Sequence, residues 1–157
     1  GCSRRADDGG QLFVTSVAGQ RNRGQDGWVY KVGRRAGTAG AADPSGAFGD
    51  GRLRAGARVT WFWCEATRGS QCQRTLAVRL RSRPQAGSTV RAVVRGYDDF
   101  GRGRPVRGAR VRLGGSSAVT GRGGEARVRV PPRRGLARLT ATKDGMVRAF
   151  DRRVRVR

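Results

Sequence analysis

The chain is written in short runs where apolar residues alternate with arginine, each cut off by glycine or proline. Ala109-Arg110-Val111-Arg112-Leu113 stops at Gly114-Gly115, and Ala126-Arg127-Val128-Arg129-Val130 stops at Pro131-Pro132. A period of two puts the apolar side chains on one face of a strand and the guanidinium groups on the other. A helix needs apolar residues three and four apart, and no stretch keeps that spacing beyond about two turns. The expected fold class is therefore all-β.

Strand signals recur along the whole chain. Leu12–Val17, Trp28–Val32, Arg58–Cys64 and Gln73–Leu80 are β-branched or aromatic runs bounded by polar glycine turns. Residues 33–51 hold six glycines and Pro44, a loop long enough to suggest recognition. Residues 84–88, within Arg81–Ser88, read as a linker by composition. Beyond it tryptophan disappears and seven further strands are expected. They lie at Thr89–Val94, Ala109–Leu113, Ser117–Thr120, Ala126–Val130, Leu136–Ala141, Val147–Phe150 and Val154–Val156. Turns at this spacing argue for a seven-stranded antiparallel sandwich of Ig or prealbumin type. The expected domains are 1–83 and 89–157.

Charge is the second constraint. The 34 basic residues face 11 acidic ones, a net +23, and only Lys31 and Lys143 are lysines. Abundant Val, Ala, Gly and Arg with no Ile and a single Asn22 is what GC-rich codons produce, so the arginine excess has a compositional source. Its physical consequence stands regardless: such a chain attracts polyanions, most strongly at low salt. The split is +9 over residues 1–83 and +14 over 84–157. Histidine is absent, which removes Ser-His-Asp triads, Cys-His dyads and histidine-ligated zinc. No apolar run approaches the roughly 20 residues of a membrane-spanning helix.

The cysteines are Cys2, Cys64 and Cys72. Cys64 and Cys72 bracket a polar stretch between strand-like runs, the neck of a hairpin. We expect a Cys64–Cys72 disulfide, with Cys2–Cys64 and two free thiols as alternatives. A disulfide points to an oxidising compartment, hence an extracellular or cell-surface location. Cys2 is then left for a partner upstream or on another chain, as expected of a fragment.

Two family resemblances can be placed on named residues. Gly27-Trp28-Val29-Tyr30-Lys31-Val32-Gly33, then the glycine loop, then Leu53-Arg54-Ala55-Gly56-Ala57-Arg58-Val59-Thr60-Trp61-Phe62-Trp63 resembles the transcobalamin-C-like domain family over about residues 11–80. Gly33 and Ala57 replace that family's usual Asn and Asp. The resemblance implies a partial β-grasp-like domain, preceded in the family by a hairpin and helix, and hints at cobalamin or another small ligand. Pro105-Val106-Arg107-Gly108-Ala109-Arg110-Val111, Thr120-Gly121-Arg122-Gly123-Gly124 and Ala141-Thr142-Lys143-Asp144-Gly145 resemble a carboxypeptidase regulatory-like or bacterial Ig-like module. These positions are turns and speak to fold rather than function. The pairing is similar to secreted or surface proteins of high-GC bacteria.

Few residues carry chemistry. Trp28, Trp61 and Trp63 are the candidate ligand-binding residues, stacking on a sugar or planar ring, against a plain core-packing role. Trp61 and Trp63 are expected on opposite faces. Asp43 and Asp50 lack calcium-loop spacing, and Asp98-Asp99 is expected to supply Asx-turn hydrogen bonds. Gly101-Arg102-Gly103-Arg104 is expected in a hairpin turn. No catalytic, cofactor or metal residues are expected. The leading expectation is a non-enzymatic display, stalk or ligand-presentation segment. Its alternatives are a small-molecule or glycan binder using Trp61, Trp63 and the 33–51 loop, and a binder of anionic polymer, such as cell-wall polymer, through arginine-rich strand faces. Specific nucleic-acid recognition is not expected.

Overall fold

The computed structural model describes residues 14–37, 55–66 and 71–157. All ladders between its strands are antiparallel, and the chain is all-β as the alternation requires. It divides into two units, Gly1–Gln73 with Asp98–Arg102, and Arg74–Tyr97 with Gly103–Arg157.

Among the described residues of the first unit, β1 (Ser16–Val17) and β2 (Gln20–Arg21) form a hairpin. Ala18 and Gly19 both take positive φ, 49° and 83°, as the tightest hairpin turns demand. A three-stranded sheet follows, with β3 (Gly27–Val32) between β4 (Arg35–Ala36) and β5 (Val59–Cys64). Asn22 links the two sheets of this unit. Its Nδ2 donates to the Val14 carbonyl, and its Oδ1 accepts the Trp28 N–H, each at 2.9 Å. Cys2, Asp43, Asp50 and the predicted loop beyond residue 37 lie outside the described residues.

The second unit is a sandwich. Its strands are β6 (Thr75–Leu80), β7 (Thr89–Tyr97), β8 (Gly103–Pro105), β9 (Arg110–Leu113), β10 (Ser116–Val119), β11 (Glu125–Arg129), β12 (Gly135–Thr142) and β13 (Arg152–Val156). One sheet runs β10-β9-β12-β13; the other runs β11-β7-β6, with β8 also on β7. Between them lies a core that includes Val94, Val111, Leu113, Val128, Val130 and Leu139, all at most 1% exposed. Each such side chain contributes roughly 1.5–3 kcal/mol of burial, which holds the layers together against the exposed arginines between them.

Three expectations need correction. First, Thr75–Leu80 belongs to the sandwich, not to a domain ending at residue 83: β6 pairs with β7 along its whole length. The stretch resembling the transcobalamin-C-like family therefore runs past the end of the first unit. Second, residues 84–88 are not a linker. The Ala86 N–H donates to the Arg157 carbonyl at 2.8 Å, the Arg157 N–H to Pro84 at 3.0 Å and the Val130 N–H to Ser88 at 2.8 Å. Proline, glycine and serine serve a tight β6–β7 connection as readily as a tether. Third, the sandwich has eight strands rather than seven, and Val147–Phe150 is not one of them. Val147 bonds to Arg74 and Leu76 while Ala149 bonds to Ala141, so this segment bridges the two sheets and extends neither.

Charge is concentrated in the second unit. The second unit carries 22 basic and 3 acidic side chains, net +19, leaving 12 and 8, net +4, for the first.

Candidate functional site

The tryptophans come together on the β3–β5 ladder. Antiparallel register sets Trp28 opposite Trp63 and Tyr30 opposite Trp61. Residues two apart share a face, so all four rings lie on one side of the sheet, and the expectation of opposite faces for Trp61 and Trp63 is corrected. Trp28 and Trp63 meet edge to face, centroids 5.9 Å apart at 81°, and Tyr30 and Trp61 tilt at 45° and 5.1 Å. The Trp28 indole N–H donates to the Gln20 carbonyl at 2.9 Å. Tyr30 is buried beneath Gly37, where a Cβ would come within 2.3 Å of its ring atoms. Trp61 remains 39% exposed. Tyr30 is thus the buried ring, Trp28 and Trp63 are half-buried, and Trp61 is the most open to stack on a ligand.

Beneath that sheet the opposite face carries Val29, Lys31, Phe62 and Cys64. Cys64 and Cys72 form the expected disulfide, Cα atoms 5.0 Å apart. Lys31 is wholly buried, and its Nζ lies 3.1 Å from Oδ1 of Asp99 and 5.5 Å from the Phe62 ring centre. Asp98 does what its turn chemistry predicts, its Oδ1 accepting the N–H groups of Phe100 and Arg102 at 3.1 and 2.8 Å. Asp99 does not, being committed to Lys31. Of the Gly101–Arg104 run, only Gly101 and Arg102 are in the turn; Gly103 and Arg104 belong to β8.

The largest charge constellation is in the sandwich. β6 and β13 are the edge strands of the two sheets. Alongside them is a cleft of about 590 Å³, ringed by Arg79, Arg81, Arg83, Arg152, Arg155 and Arg157, with Leu80, Leu139 and Val154 among its apolar walls. No Asp or Glu is among its lining residues, although Glu125 pairs with Arg81, which is one of them. Arg152 Nη1 reaches the Val78 carbonyl at 3.5 Å, and the backbone bonds between Arg157 and residues 84–86 fix the strand end. A second depression shares Arg155 and Arg157 and adds Arg134. Sequence reasoning found the arginine stripes but not this convergence, which requires edge strands of different sheets to lie side by side.

The outer faces continue the pattern. Register sets Arg91 directly opposite Arg127, and Arg138 opposite Arg153, placements that disfavour folding. Two carboxylates offset part of this. Glu125 lies 3.3 Å from Arg81 and 3.4 Å from Arg91, and Asp151 pairs with Arg138 and Arg148. The hydrogen bond from Arg138 holds the Asp151 carboxyl below its ordinary range, and the same bond lifts the Arg138 guanidinium above its own. Among the described residues no group of three or more Cys, Asp or Glu is gathered to hold a metal, and no helix is long and apolar enough to cross a membrane. No family model, curated protein or solved structure matches the chain.

Proposed function

We propose that the chain is a non-enzymatic, extracytoplasmic β module that holds an anionic polymer, such as a cell-wall polymer, in the arginine cleft between β6 and β13. The observation that carries this reading is six arginines around one cleft with no Asp or Glu among its lining residues. Codon bias explains arginine in place of lysine. It does not by itself bring six arginines around one cleft, which depends on the edge strands β6 and β13. Guanidinium groups recognise phosphate and carboxylate oxygens through paired N–H donors, and their mutual repulsion in the free protein is relieved when a polyanion arrives. The Cys64–Cys72 disulfide supports an oxidising location. A display or stalk role is compatible with the same binding.

The test is salt-dependent binding of inorganic polyphosphate and of heparin. Six phosphate-like contacts on a flexible chain give a log–log salt slope of about −4, near −0.7 per contact. Removing Arg152, Arg155 and Arg157 together should reduce it by about 2. An equal loss on removing Arg107, Arg122 and Arg133, which do not line the cleft, would show the attraction to be diffuse and end the proposal.

A second reading rests on Trp61. The four-ring face with one exposed tryptophan suits a glycan or planar small molecule, and quenching of tryptophan emission by glycan or cobalamin titration would establish it.

A further inference from the structure

Lys31 and Asp99 both belong to the first unit, 68 positions apart in sequence. Arginine supplies 32 of the chain's 34 basic side chains, yet among the described residues the wholly buried basic side chain of this unit is a lysine. A guanidinium serves a buried ion pair at least as well as an ammonium. Only the amine can lose a proton and become a nucleophile. The Nζ stands 3.1 Å from Oδ1 of Asp99, within reach of proton transfer to that oxygen. Oδ1 is buried, and among the described residues its close polar neighbour is the Lys31 ammonium. The other oxygen is held from behind. Oδ2 accepts the Cys72 N–H at 3.0 Å, and the Asp99 carbonyl accepts the Ala36 N–H at 2.9 Å. The Phe62 ring flanks the amine.

We propose that Lys31 and Asp99 condense to an intramolecular isopeptide bond. The ammonium passes one proton to Oδ1 within the pair. The amine nitrogen then forms a bond to Cγ of Asp99. Negative charge develops on Oδ2, where the Cys72 N–H is already directed. Collapse of this intermediate breaks the Cγ–Oδ1 bond. Oδ1, carrying the first proton, takes a second from nitrogen and leaves as water. Lys31 ammonium and Asp99 carboxylate thus yield one amide and one water, with no oxidant, reductant or outside co-reactant. The product joins β3 to residues 98–102 covalently, beside the Cys64–Cys72 disulfide. Such a staple suits a segment that must bear load or resist proteolysis outside the cell.

Intact-mass measurement of the purified, reduced full chain tests this directly. The expected result is a chain one water lighter than its sequence, with a proteolytic fragment joining the Lys31 and Asp99 peptides. Lys31→Arg and Asp99→Ala should each show the full sequence mass. Mass does not depend on whether these variants fold. A wild-type chain at full sequence mass after prolonged incubation overturns the proposal. So does a water loss that persists in Lys31→Arg, which would indicate cyclisation at an aspartate instead.

Discussion

Replacing Thr120 by valine should cost the sandwich much of its stability, although the two side chains have nearly the same shape. Thr120 is 3% exposed. Its hydroxyl accepts the Ala109 N–H at 2.9 Å and donates to the Val106 carbonyl at 2.6 Å. Its backbone exchanges a second set of bonds with the same loop: the Gly108 N–H donates to the Thr120 carbonyl and the Thr120 N–H to Ala109. This clamp closes the turn leading into β9, and explains physically why a threonine and a proline-to-glycine turn occur together in the sequence. Valine keeps the backbone bonds but strands one buried donor and one buried acceptor. At roughly 1–3 kcal/mol for each group left without a partner, with the carbonyl at the low end, the loss is about 2–4 kcal/mol. For a unit of 79 residues this lowers the melting temperature by about 10–25 °C. Thr120→Ser keeps the hydroxyl and gives up one methyl, so it should cost only about 1 kcal/mol. Urea unfolding followed by far-ultraviolet circular dichroism measures both variants. Tryptophan emission, which arises wholly in the first unit, serves as the internal reference. A valine variant within about 0.5 kcal/mol of wild type, the ordinary scatter of a surface change, would refute the clamp.

Other outcomes follow from the same geometry. Gly124→Ala should destabilise the sandwich beyond an ordinary glycine substitution, because φ is +71° and a Cβ would stand 2.6 Å from the Val94 carbonyl oxygen; the urea midpoint measures it. Reducing Cys64–Cys72, or replacing both cysteines by serine, should cost the first unit about 2.5 kcal/mol from reopening a short loop, seen as an earlier tryptophan transition in reductant. The carboxyl of Asp151 titrates lower in the folded chain than in the unfolded one, so its contribution is present above the ordinary aspartate range and is lost as pH falls through the lowered value. Asp151→Asn should therefore flatten the acid limb of the stability–pH curve, and an unchanged limb would count against the Arg138 hydrogen bond. Trp61→Ala should remove most acrylamide-accessible emission, whereas Trp28→Ala should leave that fraction in place.

Much of the fold was legible in the chain because strand geometry is local. Alternation with a period of two identified the strands and the all-β class, but Trp61 and Trp63, expected on opposite faces, share one by that same rule. Cys64 and Cys72 could be paired because only a short polar stretch separates them, although the strands on either side pair with β3 and β7 and form no hairpin with each other. Asp98 could be assigned to its turn because its hydrogen bonds close within four residues. What depended on distant segments was not legible. Pro84, Gly87 and Ser88 look alike in a tether and in a tight connection, and only the pairing of β6 with β7 distinguishes them. Asp99 could not be separated from Asp98 until the fold brought Lys31 within 3.1 Å of it. The arginine stripes were evident from the residues alone, since alternation sets which face each side chain takes. Their convergence on one cleft was decided by tertiary structure, because it depends on which strands form the edges of two different sheets and no period within a single strand encodes that.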